Sequence, residues 1–127
     1  MAIKSFIDLE VYQLSRALAK KISVLSKTFP GEEKYSLTDQ IRRSSRSVEA
    51  NIAEGWGKRN YTDVFKRHLI DATGSLEETK SWLISAFDCE YIHEAELNNL
   101  IQECCRSQSL PTARESGCRG GKLHAKH

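Results

Sequence analysis

Residues 36–55 read SLTDQIRRSSRSVEANIAEG, and this stretch decides the fold. One side of it repeats at steps of four or three residues, which is the spacing of a single α-helical face. Ser36 is a residue type that caps helices, and Asp39 completes a variant of the capping box. Gly55 is expected to end the helix, because glycine adopts the left-handed conformation found after helix ends. The stretch therefore predicts a helix over 36–54 whose buried side carries Leu37, Ile41, Ser44, Val48 and Ile52.

Three further helices are predicted from the same spacing. The first covers 8–28, beginning at the capping residue Asp8 and ending before Pro30. The third covers 62–88 and contains Gly74, for which we expect a closely approaching helix or a kink. The fourth, over 93–105, is short. The chain of 127 residues is thus predicted to form an all-α, antiparallel up-down-up-down four-helix bundle over residues 1–105.

Residues 106–127 are rich in Ser, Gly, Arg, Lys and His, and we expect a flexible, disordered basic tail. The four cysteines lack C-x-x-C spacing and are interpreted as reduced thiols. The N-terminus lacks the apolar core of a signal peptide, and no apolar run has membrane-spanning length. These features predict a cytoplasmic protein without membrane contact.

Charge is distributed unevenly along the chain, although the net charge is only +2. Residues 16–67 contain twelve Lys and Arg against six Asp and Glu, whereas residues 68–105 contain Lys80 against eight acids. Such asymmetry suits a polyanionic partner, and it equally suits contact between copies of one subunit. Trp56 or Tyr61 would stack on a base. The candidate phosphate-binding residues are Arg42, Arg43, Arg46, Lys58, Arg59, Lys66 and Arg67.

A polar side of the predicted second helix flanks its apolar side. We interpret it as a buried hydrogen-bond network that fixes helix register, in preference to a functional pocket. The predicted members of this network are Gln40, Arg43, Asn51 and Glu54.

Catalytic and metal-binding motifs are missing from the sequence. Asp71, Glu77 and Glu78 with His68 lack the paired Glu-x-x-His motifs of metal sites in helical bundles. Three ligand types in the tail, at Cys118, His124 and His127, are too few for a zinc prediction. No Gly-rich phosphate loop or nucleophile elbow occurs. We therefore expect a protein that is not an enzyme and holds no metal or cofactor.

Three segments together resemble a known family. They are Phe29-Pro30 with Tyr35-Ser36-Leu37, the stretch from Gln40 to Gly55, and Phe65 with Leu69, Ala72, Gly74-Ser75 and Glu77-Glu78. These segments are similar to the small bacterial four-helix-bundle proteins encoded in intervening sequences of large-subunit ribosomal RNA genes. The accessory variability determinant proteins of diversity-generating retroelements are relatives of that family.

The resemblance implies a bundle that assembles into a ring-like homopentamer with no catalytic activity. For the retroelement relatives it implies binding to nucleic acid and to a reverse transcriptase. The positions that carry over by resemblance are Gln40, Arg42, Arg43, Asn51 and Glu54.

Two functional expectations remain open at this point. The first is a non-enzymatic homo-oligomeric module that associates with RNA or DNA through its basic face. The alternative is a structural protein–protein interaction module in which the same arginines pair with the acidic half, residues 68–105, of the next subunit, without nucleic-acid binding.

Overall fold

The computed structural model describes residues 3–108 and contains helices but no strand within that range. This architecture confirms the predicted all-α four-helix fold. Two short 3₁₀ turns, Phe6–Asp8 and Gly31–Glu33, precede the first and second long helices. The long helices are α1 (Glu10–Ser26), α2 (Leu37–Gly57), α3 (Thr62–Asp88) and α4 (Glu94–Arg106).

Each long helix packs against the next one along the chain, and α4 returns to α1. The contact between α2 and α3 is the most extensive, and that between α1 and α4 is the least. At about 1.5 Å per residue, α3 extends for about 40 Å and α4 for only about 20 Å. The α2–α3 turn and the α3–α4 turn therefore lie at opposite ends of the bundle, and α4 accompanies only part of α3.

The core forms where the apolar side of α2 meets the other helices. Ile41 and Val48 have no exposed surface, and Ile52 is almost as deeply buried. Each buried side chain of this kind contributes about 1.5–3 kcal/mol relative to an exposed one. These α2 residues share one apolar cluster with Leu18 and Ile22 of α1, Leu76 and Leu83 of α3, and Leu97 of α4.

Two helix starts differ from the sequence prediction. Helix α1 begins at Glu10 instead of Asp8, because Ser5 and Asp8 form a capping box on the preceding 3₁₀ turn. The predicted capping role of Ser36 is also wrong, since its hydroxyl bonds to the Glu33 carboxylate and caps no backbone N–H. In both places a local turn captures the polar side chain that would otherwise cap the long helix.

Gly55 does not end α2, which continues to Gly57. It is buried against α3, and a Cβ added there would lie 2.9 Å from the His68 Cβ. Real Cβ atoms essentially never approach so closely. The glycine is therefore required by a neighbouring helix, and the prediction that it terminates α2 is wrong.

Gly74 shows the opposite behaviour. It is exposed on α3, and within residues 3–108 an added Cβ would meet nothing within 4 Å. Helix α3 continues uninterrupted through this position. The predicted close approach of a neighbouring helix is therefore not found in the described part of the chain.

One end of the bundle is held by a contact between two connections. Tyr91 lies in the connection that follows α3, and Glu33 lies in the connection that precedes α2. The Tyr91 hydroxyl donates to Glu33 Oε2 at 2.9 Å. The Tyr91 ring also packs on Phe29 at a centroid distance of 5.6 Å. The Glu33 carboxylate favours the protonated phenol and raises the pKa of Tyr91 to about 12. The α1–α2 and α3–α4 connections are thus joined by this hydrogen bond and by the ring contact.

The C-terminal part of the described chain is ordered onto α3. Ser107 and Gln108 are buried, and Gln108 Nε2 donates to Glu77 Oε1 at 2.7 Å. The remainder of the predicted tail, 109–127, lies outside the described residues.

The described cysteines are in two different states. Cys89 and Cys104 carry free thiols, and burial raises the pKa of Cys104 to about 12. Cys105 is disulfide-bonded, so the expectation of reduced thiols throughout is wrong for this residue. In the part of the chain that the structure describes, no helix is both long and apolar enough to cross a membrane.

The two glycines give a matched pair of stability predictions. Gly74→Ala is expected to raise the free energy of unfolding by about 1 kcal/mol, because an exposed helix interior gains the propensity of alanine. Gly55→Ala is expected to lower it, because overpacking against His68 costs about 1–3 kcal/mol and exceeds that gain. Urea unfolding followed by circular dichroism measures both. A stabilising Gly55→Ala would contradict the packing role of Gly55.

Candidate nucleic-acid interface

The three α2 arginines point in different directions. Arg42 lies towards α1, where its Nε donates to Ser26 Oγ at 2.7 Å. The Ser26 hydroxyl in turn donates to the Ser23 carbonyl, so the Arg42 side chain is held along α1. Arg42 is half-buried as a result. It acts first as a link between two helices of the same chain.

Arg46 is exposed, and it lies near a carboxylate instead of in an open basic patch. Burial raises the pKa of Glu49 above its ordinary value of 4.5, while the charges of Arg16 and Arg46 lower it in part. On the α1–α2 surface, Glu49 therefore lies close enough to Arg16 and Arg46 to interact with both charges. Phosphate binding here would compete with Glu49 for both arginines.

Arg43 borders a polar cleft between α2 and α3 with a volume of about 330 Å³. Among residues 3–108, the side chains of Arg43 and Gln40 form no hydrogen bond or ion pair with another residue. The hydroxyl groups of Ser47 and Ser75 meet across this cleft at 2.9 Å. The lining residues are Gln40, Arg43, Ser44, Ser47, Ser75 and Glu78.

The predicted polar network is only partly assembled as expected. Asn51 and Glu54 come together through His68 of α3: Asn51 Oδ1 and Glu54 Oε2 lie 3.3 Å and 3.7 Å from His68 Nδ1. Asn51 Nδ2 donates to the Ser47 carbonyl at 3.0 Å. The structure does not bring Gln40 or Arg43 into hydrogen bonding with these groups within its described range.

His68 organises this network, and sequence reasoning missed its role. An amide oxygen only accepts, so the contact with Asn51 places the proton on Nδ1. The other ring nitrogen, Nε2, then accepts from Lys58 Nζ at 3.5 Å. A possible signal was Gly55, because a glycine inside a helix marks close approach of another element. The glycine alone did not show that His68 would be the residue packed against it.

The α2–α3 turn carries a basic and aromatic corner, which we define as Trp56, Lys58, Arg59 and Tyr61. The Arg59 guanidinium carbon lies 4.3 Å from the centre of the Trp56 ring, and Arg59 Nη1 donates to the Trp56 carbonyl at 2.9 Å. Tyr61 is 71% exposed. Within six residues, the corner thus carries a guanidinium stacked on an indole, an exposed phenol ring and a lysine.

Lys66 and Arg67 lie further along α3 and are both exposed. They follow the corner by between one and two helical turns. Neither forms an ion pair within residues 3–108. The seven predicted basic residues therefore form three groups, on the α1 side of α2, at the polar cleft, and from the corner into α3.

A second groove, between α1 and α4, was not predicted. It has a volume of about 630 Å³ and is spanned by the ion pair between Lys21 and Glu103. Within residues 3–108, no three His, Cys, Asp or Glu side chains gather in a way that would hold a metal ion. The tail candidates Cys118, His124 and His127 lie outside the described residues.

Comparisons with known proteins agree with the fold. A family model described as 23S rRNA-intervening sequence protein matches residues 7–112, which is most of the chain. The match includes all four helices and the basic and aromatic corner. A comparison with curated proteins finds no match.

The position of Arg46 generates a pH prediction. Arg46→Ala is expected to raise the pKa of Glu49 further, because it removes one of the two charges that lower it. A folded-state pKa above the unfolded value means that stability falls as the pH rises from 4.5 through the folded-state pKa. In the variant, the pH range over which stability falls should extend to a higher pH. Carboxyl-carbon NMR titration of Glu49 measures the shift.

Lys20→Ala is the matched control, since Lys20 is an exposed cation on α1. It should leave the pKa of Glu49 unchanged. An equal pKa of Glu49 in wild type and Arg46→Ala would show that Arg46 points away from this carboxylate.

Proposed function

Since the chain belongs to the 23S rRNA-intervening sequence protein family, we propose that it is a non-enzymatic, homo-oligomeric helical-bundle module that binds RNA or DNA. The description of this family supports a link to ribosomal RNA. The bacterial cytoplasm is the setting that this proposal assumes. A protein partner such as a reverse transcriptase is the further partner suggested by the family resemblance.

The basic and aromatic corner is the observation that carries the proposal. Its Arg59 guanidinium is held over the Trp56 ring, so little side-chain entropy is lost when a phosphate binds. Its Tyr61 ring is largely exposed and available to stack on a base. An isolated charge cluster would support phosphate binding alone. The adjacent aromatic ring favours unpaired nucleotides, whose base faces are accessible.

Other basic groups support the corner to different degrees. Lys58 Nζ forms an ion pair with Glu54 Oε2 at 3.9 Å. Such an exposed pair is weak, so a phosphate can displace the carboxylate. Arg42 and Arg46 have partners within the chain, which makes their contribution secondary. We therefore place the main phosphate contacts at Lys58 and Arg59.

Salt dependence tests the electrostatic part of the proposal. For about four phosphate contacts on a single strand, affinity should fall about 50-fold between 50 and 200 mM salt, since each contact contributes a slope of about −0.7. Replacing Lys58 and Arg59 together by alanine should reduce the slope by about 1.4. Fluorescence anisotropy with a labelled single-stranded RNA measures both quantities.

Matched variants locate the contact. Lys20→Ala with Lys27→Ala removes the same charge from α1 and from the residue that follows it, and should leave the slope unchanged. Arg42→Ala with Arg46→Ala tests whether the face extends along α2. Replacing the tail bases Arg114, Arg119, Lys122 and Lys126 by glutamine tests the tail while keeping the buried Ser107 and Gln108. Unchanged binding in the Lys58 and Arg59 variant would refute the corner as the site.

Stacking has a separate test. Tyr61→Ala should weaken RNA binding about 5- to 150-fold, corresponding to about 1–3 kcal/mol per stacked base, at every salt concentration. Tyr61→Phe keeps the ring and should bind like the wild type. A loss in both variants would point to the hydroxyl group, and no loss in either would exclude stacking at Tyr61.

Oligomerisation is tested on the purified protein without nucleic acid. Multi-angle light scattering should give a mass above that of the 14.4 kDa chain, with a pentamer as the expectation from resemblance. An oligomer that dissociates on charge reversal and binds no RNA at any salt concentration would support the structural alternative instead. A monomer at all concentrations would refute the homo-oligomeric part.

A further inference from the structure

One face of α3 points away from the bundle core. It lies opposite the buried Ala72, Leu76 and Leu83, and its residues are exposed. Ile70 on this face is 69% exposed, and Gly74 follows it one turn later with nothing within 4 Å of an added Cβ. We call this surface the outer face of α3; it comprises Lys66, Arg67, Ile70, Gly74, Glu77 and Glu78.

Neither apolar exposure nor the glycine is informative alone. Single exposed apolar residues are common on protein surfaces. A glycine inside an exposed helix destabilises the helix relative to alanine, and no contact within 4 Å among residues 3–108 offsets this effect at Gly74. The informative observation is the arrangement of charge around the two residues. Two cations precede Ile70 by one turn, and two carboxylates follow Gly74 by one turn.

This arrangement is self-complementary. Position 72 is the centre of this arrangement. Residues 70 and 74 lie two positions before and after it, the basic pair 66 and 67 lies five to six positions before it, and the acidic pair 77 and 78 lies five to six positions after it. When two such helices run antiparallel with position 72 at the centre, the basic turn of each lies opposite the acidic turn of the other. The isoleucine of each helix then lies over the glycine of the other. A two-fold axis produces this geometry without any other adjustment.

We propose that the outer face of α3 binds the same face of a second copy of this chain, with the two α3 helices antiparallel. At about 100° per residue, Arg67 and Glu78 lie along one edge of the outer face of α3, and Lys66 and Glu77 lie along the other edge. The two-fold axis places like edges of the two copies together. Arg67 therefore faces Glu78 of the second copy, and Lys66 faces its Glu77. Ile70 packs into the space left by Gly74, where any side chain would hold the two helices apart.

The charges favour a second copy over a nucleic acid at this face. A phosphate chain along α3 would meet Lys66 and Arg67 but would then run onto Glu77 and Glu78. A copy of the same helix satisfies both pairs at once. Glu77 already accepts hydrogen bonds from Lys80 and Gln108, which fix its position without removing its charge. Its side chain remains 60% exposed.

The contact is small, since it uses one face of a single helix. Interfaces at the small end of the size range are weak and transient, so association should depend on concentration and on salt. The contact rests on the homo-oligomeric part of the proposed function and adds a two-fold interface to it. It does not depend on nucleic-acid binding at the basic and aromatic corner.

A charge exchange tests the pairing. In sedimentation velocity of the full chain without nucleic acid, Arg67→Glu and Glu78→Arg should each weaken self-association at least tenfold, because like charges then face each other. Combining both substitutions in one chain restores opposite charges across the two-fold axis. The double variant should associate within about threefold of the wild type. Lys20→Glu, an equal charge change on α1, should have no effect.

A second variant separates association from folding. Gly74→Gln places a flexible side chain in the space for Ile70 and also improves helix propensity. It should raise the melting temperature of the chain while weakening self-association at least tenfold. A variant that loses both would instead indicate a folding defect and would count against the proposed space at Gly74.

The outcomes distinguish this proposal from the preceding one. An oligomer whose mass does not respond to the single charge reversals, or is not restored by the double variant, overturns the α3 contact and leaves the proposed function in place. A chain that is monomeric at every concentration overturns the contact together with the homo-oligomeric part. RNA binding, measured separately, does not enter either decision.

Discussion

The close approach of α2 and α3 at Gly55 is the constraint on which the functional surface depends. Because Gly55 has no side chain, the His68 Cβ can lie only 2.9 Å from the position that a Cβ at residue 55 would take. This brings the His68 ring within reach of Asn51, Glu54 and Lys58. The last turn of α2 is thereby fixed to α3, and the Trp56 and Arg59 stack is built on that turn. A larger residue at Gly55 would separate the helices and displace the whole corner.

Below this point the two helices are joined by a line of hydroxyl groups as well as by apolar side chains. Ser47 meets Ser75 at 2.9 Å, and Thr79 donates to Ser44 at 2.9 Å in the buried core. Buried polar groups are costly when unpaired, so a shift of one helix by one residue would separate these partners. Apolar packing alone tolerates such shifts more easily. The hydroxyl pairs therefore specify the register that apolar burial stabilises.

The sequence predicted the helices well because their apolar periodicity is local information. Helix α3 has the predicted bounds of 62–88, and α4 differs by one residue at each end. The two interior glycines were misassigned because a glycine allows either a special backbone angle or a close neighbour. Only the position of the next helix distinguishes these cases. Gly55 has such a neighbour and Gly74 has none among residues 3–108, although both lie in long helices.

The candidate site was less predictable for a related reason. A list of basic residues does not show which of them already have partners. Ser26, on a different helix, engages Arg42, and Glu49 together with Arg16 influences the surroundings of Arg46. By contrast, the stack of Arg59 on Trp56 joins residues only three positions apart in the sequence. Short-range spacing can therefore indicate the corner, whereas the other arginines require the tertiary structure.

The separation of charge along the bundle explains how a nearly neutral chain can retain a locally basic surface. Lys58 and Arg59 lie at the α2–α3 end, whereas Asp88, Glu90 and Glu94 lie at the α3–α4 end. The length of α3 separates these ends by about 40 Å. Electrostatic interactions are screened within about 8 Å at physiological ionic strength. The acidic end therefore does not cancel the potential at the corner. The net charge of the whole chain is consequently a poor guide to its partners, and the local arrangement of charges decides what each end can bind.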